Sequence, residues 1–201
     1  MLKRMAQDSS VADFWDTRYR AKVIPWDQGT VPRRFAQYLE ARTDRPRTLI
    51  PGCGSGYEAR LIVARGWPVL AIDFSAAAID AARTVLAVHT SVLLEADFFA
   101  FAGDAQPFDL IYERAFLCAL PPRIWTQYGT RVAQLVAPGG QLAGFFVVGA
   151  TERGPPFSIA RQQLDELLDP AFECIADESA PDSLAIFGGR ERWMVWRRRS
   201  R

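Results

Sequence analysis

A short apolar strand that enters a glycine-rich turn constrains the fold of this chain more than any other segment. The apolar run is residues 47–50, and the turn reads Pro51-Gly52-Cys53-Gly54-Ser55-Gly56. A helical pattern of small and apolar residues follows and stops at Gly66, which is placed to end a helix. Glycines at alternate positions after a strand let the backbone turn sharply and approach a ligand closely. The segment therefore predicts the first strand, turn and helix of a ligand-binding α/β sheet.

The rest of the chain alternates between strand and helix patterns. Further strands are predicted at residues 67–72, 92–94, 108–112, 141–148, 172–176 and 192–197. Helices are predicted from Ser75 to Leu86 and over residues 122–136 and 158–168. This order predicts an α/β fold with a seven-stranded, mainly parallel sheet, helices on both faces and right-handed crossovers. The last two strands are expected to form an antiparallel hairpin at the sheet edge.

The composition fits one domain that acts on a small molecule. The chain has 201 residues, of which 49% are hydrophobic, enough for a buried sheet covered on both faces. We therefore expect a single domain over residues 1–201, with a helical lid at 1–45 and a Rossmann-like core at 46–201. Because 24 Lys+Arg nearly balance 23 Asp+Glu, neither nucleic acid nor an anionic membrane is an expected partner.

The number and spacing of the cysteines, and the lengths of the apolar segments, indicate the cellular environment of the protein. The three cysteines, Cys53, Cys118 and Cys174, are odd in number and lack metal-ligand spacing, which argues against a disulfide scaffold and a zinc site. The first residues lack the apolar core of a signal peptide, and no window approaches the roughly 18 apolar residues of a membrane helix. We expect a cytoplasmic monomer without a metal ion.

An acidic residue at the end of the second strand supports a nucleotide-like ligand. Asp73 stands where such folds place an acid on ribose hydroxyls. The dinucleotide fingerprint requires glycine where Tyr57 stands, so a pyrophosphate is disfavoured. A turn of this spacing suits S-adenosylmethionine, whose amino-acid part would lie across the backbone. Asp97 could then accept a hydrogen bond from the adenine amino group with Phe98 or Phe99 against the ring, although a helix cap with core aromatics explains the same residues.

Several segments together resemble the thiopurine S-methyltransferase family, which also contains thiol and halide methyltransferases. The matching segments are Phe14-Trp15-Asp16-Thr17-Arg18-Tyr19, Pro25-Trp26-Asp27-Gln28-Gly29, Pro51-Gly52-Cys53-Gly54, Phe108-Asp109-Leu110-Ile111-Tyr112-Glu113-Arg114 and Gly154-Pro155-Pro156-Phe157. The resemblance implies a class I methyltransferase fold that uses S-adenosylmethionine. It also implies a small, soft methyl acceptor, namely a thiol, thiopurine, selenol or halide.

The resemblance assigns roles to individual residues. The family places the tryptophan of Pro-Trp-Asp over the cofactor, here Trp26, and an indole face attracts a sulfonium by roughly 0.5–2 kcal/mol in a dry site. It places an arginine at the position of Arg114, where a guanidinium can bind the cofactor carboxylate. The implied cofactor-binding residues are Trp15, Tyr19, Trp26, Gly52, Gly54, Asp73, Asp97, Phe98 and Arg114, and Phe116 and Phe157 are the candidate walls of the acceptor pocket.

The acceptor is left open by the motifs. Glu113-Arg114 is similar to the thiopurine branch, whereas the Pro-Gly-Cys-Gly turn and Asp97-Phe98-Phe99 are more similar to the thiol and halide branch. Transfer to a soft nucleophile needs mainly proximity and desolvation, so no catalytic side chain is assigned. Two alternatives are a non-catalytic module that binds the cofactor and a nicotinamide-dependent oxidoreductase, and the mismatch at Tyr57 argues against the second.

Overall fold

The computed structural model describes residues 8–103, 106–150, 153–181 and 183–200, and its strands form one seven-stranded sheet. The strands are β1 (Thr48–Pro51), β2 (Val69–Asp73), β3 (Leu93–Glu95), β4 (Phe108–Arg114), β5 (Val136–Val147), β6 (Phe172–Ser179) and β7 (Glu191–Arg198). Their order in the sheet is β3-β2-β1-β4-β5-β7-β6. The first five strands run parallel, and β7 lies antiparallel to both β5 and β6. The predicted mainly parallel sheet with a C-terminal hairpin is confirmed.

Helices cover both faces of the sheet because consecutive strand residues point to opposite sides. The helices are α1 (Ala12–Arg20), α2 (Arg33–Glu40), α3 (Tyr57–Ala64), α4 (Ala76–Leu86), α5 (Trp125–Leu135) and α6 (Arg161–Leu168). On β4, Ile111 belongs to the core cluster that includes α5 and α6 side chains. Leu110 and Tyr112 belong to the opposite cluster, with α2, α3 and α4. No helix of the described ranges combines the length and apolar content needed to cross a membrane.

Two predicted element boundaries differ from the structure for local reasons. The helix expected over 158–168 begins only at Arg161, because Ile159 pairs with Val148 in an isolated parallel bridge. The strand expected over 141–148 begins already at Val136, so the Pro138-Gly139-Gly140 segment lies within β5. There the pairing with β4 shifts from Phe108 and Val136 to Leu110 and Gln141, so the segment bulges out of the ladder.

The first β-α-β unit meets its neighbours at one end of the sheet. β1 lies between β2 and β4 in the sheet order, and all three are parallel. The carboxyl ends of these three strands therefore lie side by side, as in other open α/β sheets that bind ligands there. The glycine turn, Asp73 and Arg114 follow or end these strands.

Gly144 supplies a test of the close strand packing. It pairs with Glu113 of β4 and Met194 of β7, and a Cβ at this position would lie 2.0 Å from the Glu113 carbonyl oxygen. Backbone cannot move aside cheaply, so we expect Gly144→Ala to lower the free energy of unfolding by about 3 kcal/mol, measured by urea denaturation.

Gly189→Ala is the control for this substitution. A Cβ there meets nothing within 4 Å, and only the left-handed backbone opposes it, at a cost of about 1 kcal/mol. Equal stability of Gly144→Ala and the wild-type protein would show that the strands are packed less closely than described.

Candidate functional site

A cavity of about 390 Å³ opens at the carboxyl ends of β1, β2 and β4. Its size is within the range of small-molecule sites. Every residue predicted to bind the cofactor lines it, namely Trp15, Tyr19, Trp26, Gly52, Gly54, Asp73, Asp97, Phe98 and Arg114. The sequence expectations thus converge on one place, although they came from segments up to a hundred residues apart.

The glycine turn forms one wall because its backbone adopts conformations that side chains rarely allow. Gly52 and Gly54 have φ values of +58° and +54°. A Cβ on Gly52 would lie 2.4 Å from the Phe116 ring, and one on Gly54 would lie 2.7 Å from the Tyr19 hydroxyl. Both glycines are therefore required for two reasons, the left-handed backbone and the close approach of aromatic residues.

Asp73 joins the glycine turn to the next helix. Its Oδ2 accepts a hydrogen bond from the Gly54 amide at 3.1 Å, and its Oδ1 accepts one from the Ser75 amide at 2.9 Å. The residue is 8% exposed and lines the cavity. Burial raises the pKa of this carboxyl to about 6, and the two amide donors oppose that rise. At neutral pH the group is ionised and can accept further hydrogen bonds from a ligand.

Aromatic residues from α1 and the following loop form a second wall, which meets the glycine turn where the Tyr19 hydroxyl packs against Gly54. The Trp15 and Trp26 rings meet edge to face with centroids 5.3 Å apart, and the Tyr19 and Trp26 centroids are 6.2 Å apart. Burial raises the pKa of Tyr19 far above its usual value, with the Asp73 charge as the next cause. The phenol therefore stays neutral, and the rings of Trp15, Tyr19 and Trp26 carry no charge.

Within the predicted lid at residues 1–45, one part lines the cavity and another part is buried in the core. α1 and Trp26 line the cavity, whereas Phe35 and Leu39 of α2 are buried in the core beneath the sheet. α1 is held at its place because Asp16 Oδ1 accepts hydrogen bonds from the Ser75 hydroxyl and the Ala77 amide at the start of α4. The first seven residues lie outside the described part of the chain.

Arg114 is already engaged by protein groups. Its Nε lies 3.2 Å from Glu191 Oε1, in a pair whose side chains are 9% and 0% exposed. Its Nη1 donates to Gln28 Oε1 at 3.3 Å, and the guanidinium lies 4.9 Å from the centre of the Phe145 ring. The guanidinium is thus oriented by Glu191 and Gln28, and its Nη2 and the second N–H of Nη1 are left to meet a ligand.

Glu113 fixes the loop after β4. Its Oε2 accepts hydrogen bonds from the Phe116 amide at 2.9 Å and the Leu117 amide at 3.1 Å. Its Oε1 is buried without a partner among the described residues, as is the hydroxyl of Tyr128. Burial raises the pKa of the Glu113 carboxyl to about 7. The Phe116 ring, held by this loop, covers Gly52 and lines the cavity.

The two predicted acceptor walls have different positions. Phe116 lines the cavity, but Phe157 does not. The Phe157 amide donates to the Cys118 carbonyl at 2.7 Å, and its ring packs against the core cluster that contains α5 and α6 side chains. The neighbouring Pro155 and Pro156 line the cavity in its place, so the turn contributes through its prolines and Phe157 lies behind them.

Several residues of the site carry no signal that predicted them. The loop after α1 is tied to the glycine turn by a short hydrogen bond between the Ser55 hydroxyl and Asp27, a residue inside one of the recognised motifs. Glu58 lines the cavity from the first turn of α3. Ile186 and Phe187 also line it, and Glu191 orients Arg114. No local sequence pattern marks these last three residues, because they reach the site only through β7 and the segment before it.

A family model described as thiopurine S-methyltransferase matches residues 10–199. The chain belongs to the thiopurine S-methyltransferase family. Among its relatives, "Probable thiol methyltransferase 2" of Arabidopsis thaliana is 27% identical over 98% of this chain and 88% of the relative. "Thiopurine S-methyltransferase" of Vibrio atlanticus is 27% identical over 77% of this chain and 80% of the relative. The resemblance inferred from the motifs is confirmed.

Solved structures show the same fold at low sequence identity. A magnesium protoporphyrin IX methyltransferase from Synechocystis, with S-adenosylmethionine bound, has a TM-score of 0.74 and 16% identity, over 98% of this chain and 100% of that chain. A 1,6-didemethyltoxoflavin-N1-methyltransferase from Burkholderia thailandensis, with bound S-adenosylhomocysteine, has a TM-score of 0.73 and 17% identity, over 96% and 88%. With the family membership, this identifies an S-adenosylmethionine-dependent methyltransferase.

Glu113 makes the stability of the methyltransferase depend on pH. Its folded-state pKa of about 7 lies above the ordinary value of 4.5. The folded state therefore keeps a proton that the unfolded state loses, so this contribution to stability is present at low pH and is lost as the pH rises to about 7. We expect Glu113→Gln to gain about 2 kcal/mol relative to wild type between pH 5 and pH 8.

The measurement is urea denaturation of both proteins at the two pH values. Asp73, whose pKa is also raised, remains in both proteins and cancels in the comparison. Glu173→Gln serves as the control, because Glu173 forms a half-exposed pair with Arg197 far from this loop. A stability difference between Glu113→Gln and wild type that is constant with pH would contradict the raised pKa.

Proposed function

We propose that this methyltransferase binds S-adenosylmethionine in the cavity at the carboxyl ends of β1, β2 and β4 and methylates a small soft nucleophile, foremost a thiol. The observation that carries the proposal is the convergence of three features on one cavity. These features are the sterically restricted glycine turn, the buried carboxylate of Asp73 and the aromatic wall of α1 and Trp26.

The residues present fit the proposed cofactor. Gly52 and Gly54 line the cavity, so their backbone can lie against its methionine part, while Phe116 and Tyr19 pack where side chains would otherwise stand. The Asp73 carboxylate can accept from ribose hydroxyls. Asp97, whose Oδ1 accepts from the Phe99 amide at 2.9 Å, lies on the cavity wall where an adenine amino group could donate to it.

Phe98 and Arg114 complete the proposed cofactor site. Phe98 is 4% exposed and lines the cavity from the core, where its ring meets those of Phe99 and Phe116 edge to face. It can therefore offer an apolar surface to the adenine. Arg114 can bind the carboxylate through its terminal nitrogens while Glu191 holds its Nε.

The aromatic wall suits a cation. When bound, S-adenosylmethionine supplies a methyl group on a positively charged sulfur. The neutral rings of Trp15, Tyr19 and Trp26 exclude water and can face that charge, which strengthens the attraction in a dry site. Their role is to position the charge and the acceptor together.

The residues around the cavity support a mechanism in which the protein aligns the acceptor with the methyl group and supplies no general base. His89, the only histidine of the sequence, lies in the 3-10 segment Ala87–Val92 after α4, outside the cavity lining. The acceptor side is walled by apolar groups of Phe116, Pro155, Pro156, Ile186 and Phe187. A thiol that is partly ionised near neutral pH needs alignment and desolvation more than a dedicated base. The names of the relatives, which refer to thiols, thiocyanate and thiopurines, support a sulfur nucleophile as the acceptor.

The charge balance and the cysteines bear on the oligomeric state, the compartment and the partners of the protein. We propose that the protein acts as a monomer of one domain in the cytoplasm, without nucleic acid as a partner. The near balance of 24 Lys+Arg and 23 Asp+Glu and the three free cysteines support this setting. We also propose that α1 and the loop to α2 act as the cover of the site.

Turnover tests the proposed reaction. The protein incubated with S-adenosylmethionine and a panel of thiols, thiopurines, a selenol, iodide and thiocyanate is expected to form S-adenosylhomocysteine fastest with a thiol or thiopurine, measured by chromatography. An alcohol or amine of matching shape serves as the hard-nucleophile control. Tight cofactor binding without turnover of any acceptor would indicate a non-catalytic binding module instead.

Trp26 tests the assignment of the sulfonium. S-adenosylmethionine carries the charge and S-adenosylhomocysteine does not. We therefore expect Trp26→Leu to weaken binding of the first about threefold to tenfold more than binding of the second, by titration calorimetry.

Trp67→Leu is the matched control, because Trp67 is also half-buried but lies outside the cavity lining. It should affect the two ligands equally. If Trp26→Leu weakened both ligands to the same extent, Trp26 would be a packing residue and not a partner of the charge.

A further inference from the structure

A second arginine lines the cavity without a carboxylate partner. Among the described residues, Arg18 and Arg114 are the cations of the lining. Arg114 is paired with the buried Glu191. Arg18 of α1 forms no ion pair with any described carboxylate, whereas the next arginine of the helix, Arg20, is paired with Asp16. The cavity therefore contains one cation whose charge the protein leaves uncompensated.

The Arg18 side chain is held in place by neutral groups. Its Nη1 donates to the Phe14 carbonyl at 2.9 Å, and its guanidinium carbon lies 3.3 Å from the centre of the Phe14 ring. The side chain is half-buried, and burial lowers the pKa of the guanidinium, which nevertheless stays charged. A guanidinium has five N–H donors in a fixed plane, so most of them remain available for a planar anion.

Ser9 adds a second unsatisfied group to the same cavity. It lines the cavity, is 3% exposed, and its hydroxyl is buried without a partner among the described residues. Its position is fixed because its carbonyl accepts a hydrogen bond from Trp15 Nε1 at 2.8 Å. A buried hydroxyl without a partner is unfavourable. A ligand acceptor atom at this position would satisfy it.

The acidic residues nearby are engaged elsewhere. Asp8 accepts from Ser10 and Arg123, and these bonds lower its pKa to about 2. Among the carboxylates of the lining, Asp73 and Asp97 accept from backbone amides, Asp27 accepts from the Ser55 hydroxyl, and Glu58 accepts from the Tyr112 hydroxyl at 3.5 Å. The described carboxylates thus leave the Arg18 charge for a ligand.

We propose that Arg18 and Ser9 bind a carboxylate on the methyl acceptor, so that the preferred acceptors are soft nucleophiles carrying an anionic group on an apolar body. This inference rests on the proposed function, because it divides one cavity between cofactor and acceptor. S-adenosylmethionine has a single carboxylate, for which Arg114 is the proposed partner. The apolar walls at Pro155, Pro156 and Phe187 would hold the rest of the acceptor.

The experiment measures charge recognition by binding, separately from turnover. The wild-type protein saturated with S-adenosylhomocysteine is titrated with para-(methylsulfanyl)benzoate and with the uncharged para-(methylsulfanyl)benzamide, in a calorimeter. We expect the carboxylate to bind about tenfold more tightly than the amide, because hydrogen bonds to a charged partner are stronger than neutral ones.

Substitutions at Arg18 and Ser9 test whether these residues cause the preference for the carboxylate. Arg18→Gln should reduce the preference to about twofold or less, Arg18→Lys should retain part of it, and Ser9→Ala should weaken it severalfold. Arg20→Gln is the charge-matched control, because Arg20 is on the same helix but is exposed and outside the lining. It should keep the wild-type preference. Circular dichroism and thermal unfolding of each variant establish that it folds.

Three results would overturn the inference. These are equal binding of the two ligands by wild type, a preference that survives in Arg18→Gln, and a loss of S-adenosylhomocysteine affinity in Arg18→Gln, which would assign Arg18 to the cofactor. Failure of the proposed function is recognised independently, as absence of turnover of mercaptobenzoate and mercaptobenzamide by wild type. The charge preference is read from binding and is therefore decided in either case.

Discussion

The hydrogen bonds that the Asp73 carboxylate accepts from the Gly54 and Ser75 amides hold the site together. One carboxylate at the end of β2 fixes the glycine turn after β1 and the entry into α4. Ser75 in turn caps α4 and donates to Asp16, which holds α1 and its aromatic residues over the turn. The ligand-facing backbone and the aromatic wall thus depend on the same buried charge, which is held in place mainly by backbone amides and not by a counterion.

Much of the fold and site was predictable because the signals are local. An apolar strand, a glycine turn and an acid at the end of the next strand occupy about 25 consecutive residues, and parallel strands bring their carboxyl ends together. Trp15, Tyr19 and Trp26 required a family resemblance, since an aromatic residue before the core is equally typical of packing. The pairing of Arg114 with Glu191 could not be predicted, because 77 residues separate them and β5 lies between their strands.

Phe157 and Glu113 show why side-chain roles are harder to predict than positions. The Gly154-Pro155-Pro156-Phe157 turn does reach the cavity, but which of its side chains faces inward depends on the packing of Phe157 against the core. The motif that includes β4 predicted a role for Arg114. The preceding residue, Glu113, points to the other face of the sheet and holds the loop that carries Phe116. A sequence motif identifies a residue and places it at the end of a strand. The alternation of side chains along that strand decides which face of the sheet the residue points to.

The hydrogen bonds by which Asp16 joins α1 to the start of α4 affect how ligands can enter the cavity. Moving α1 outward would remove both hydrogen bonds that Asp16 accepts at the first turn of α4, so the Ala77 amide would lose its side-chain acceptor, although the Ser75 cap would remain. The stretch between α1 and α2 is bonded to the glycine turn through Asp27 and Ser55 and to Arg114 through Gln28. We therefore expect the connecting stretch, and not α1, to move when cofactor and product pass, because moving α1 would also disturb the start of α4.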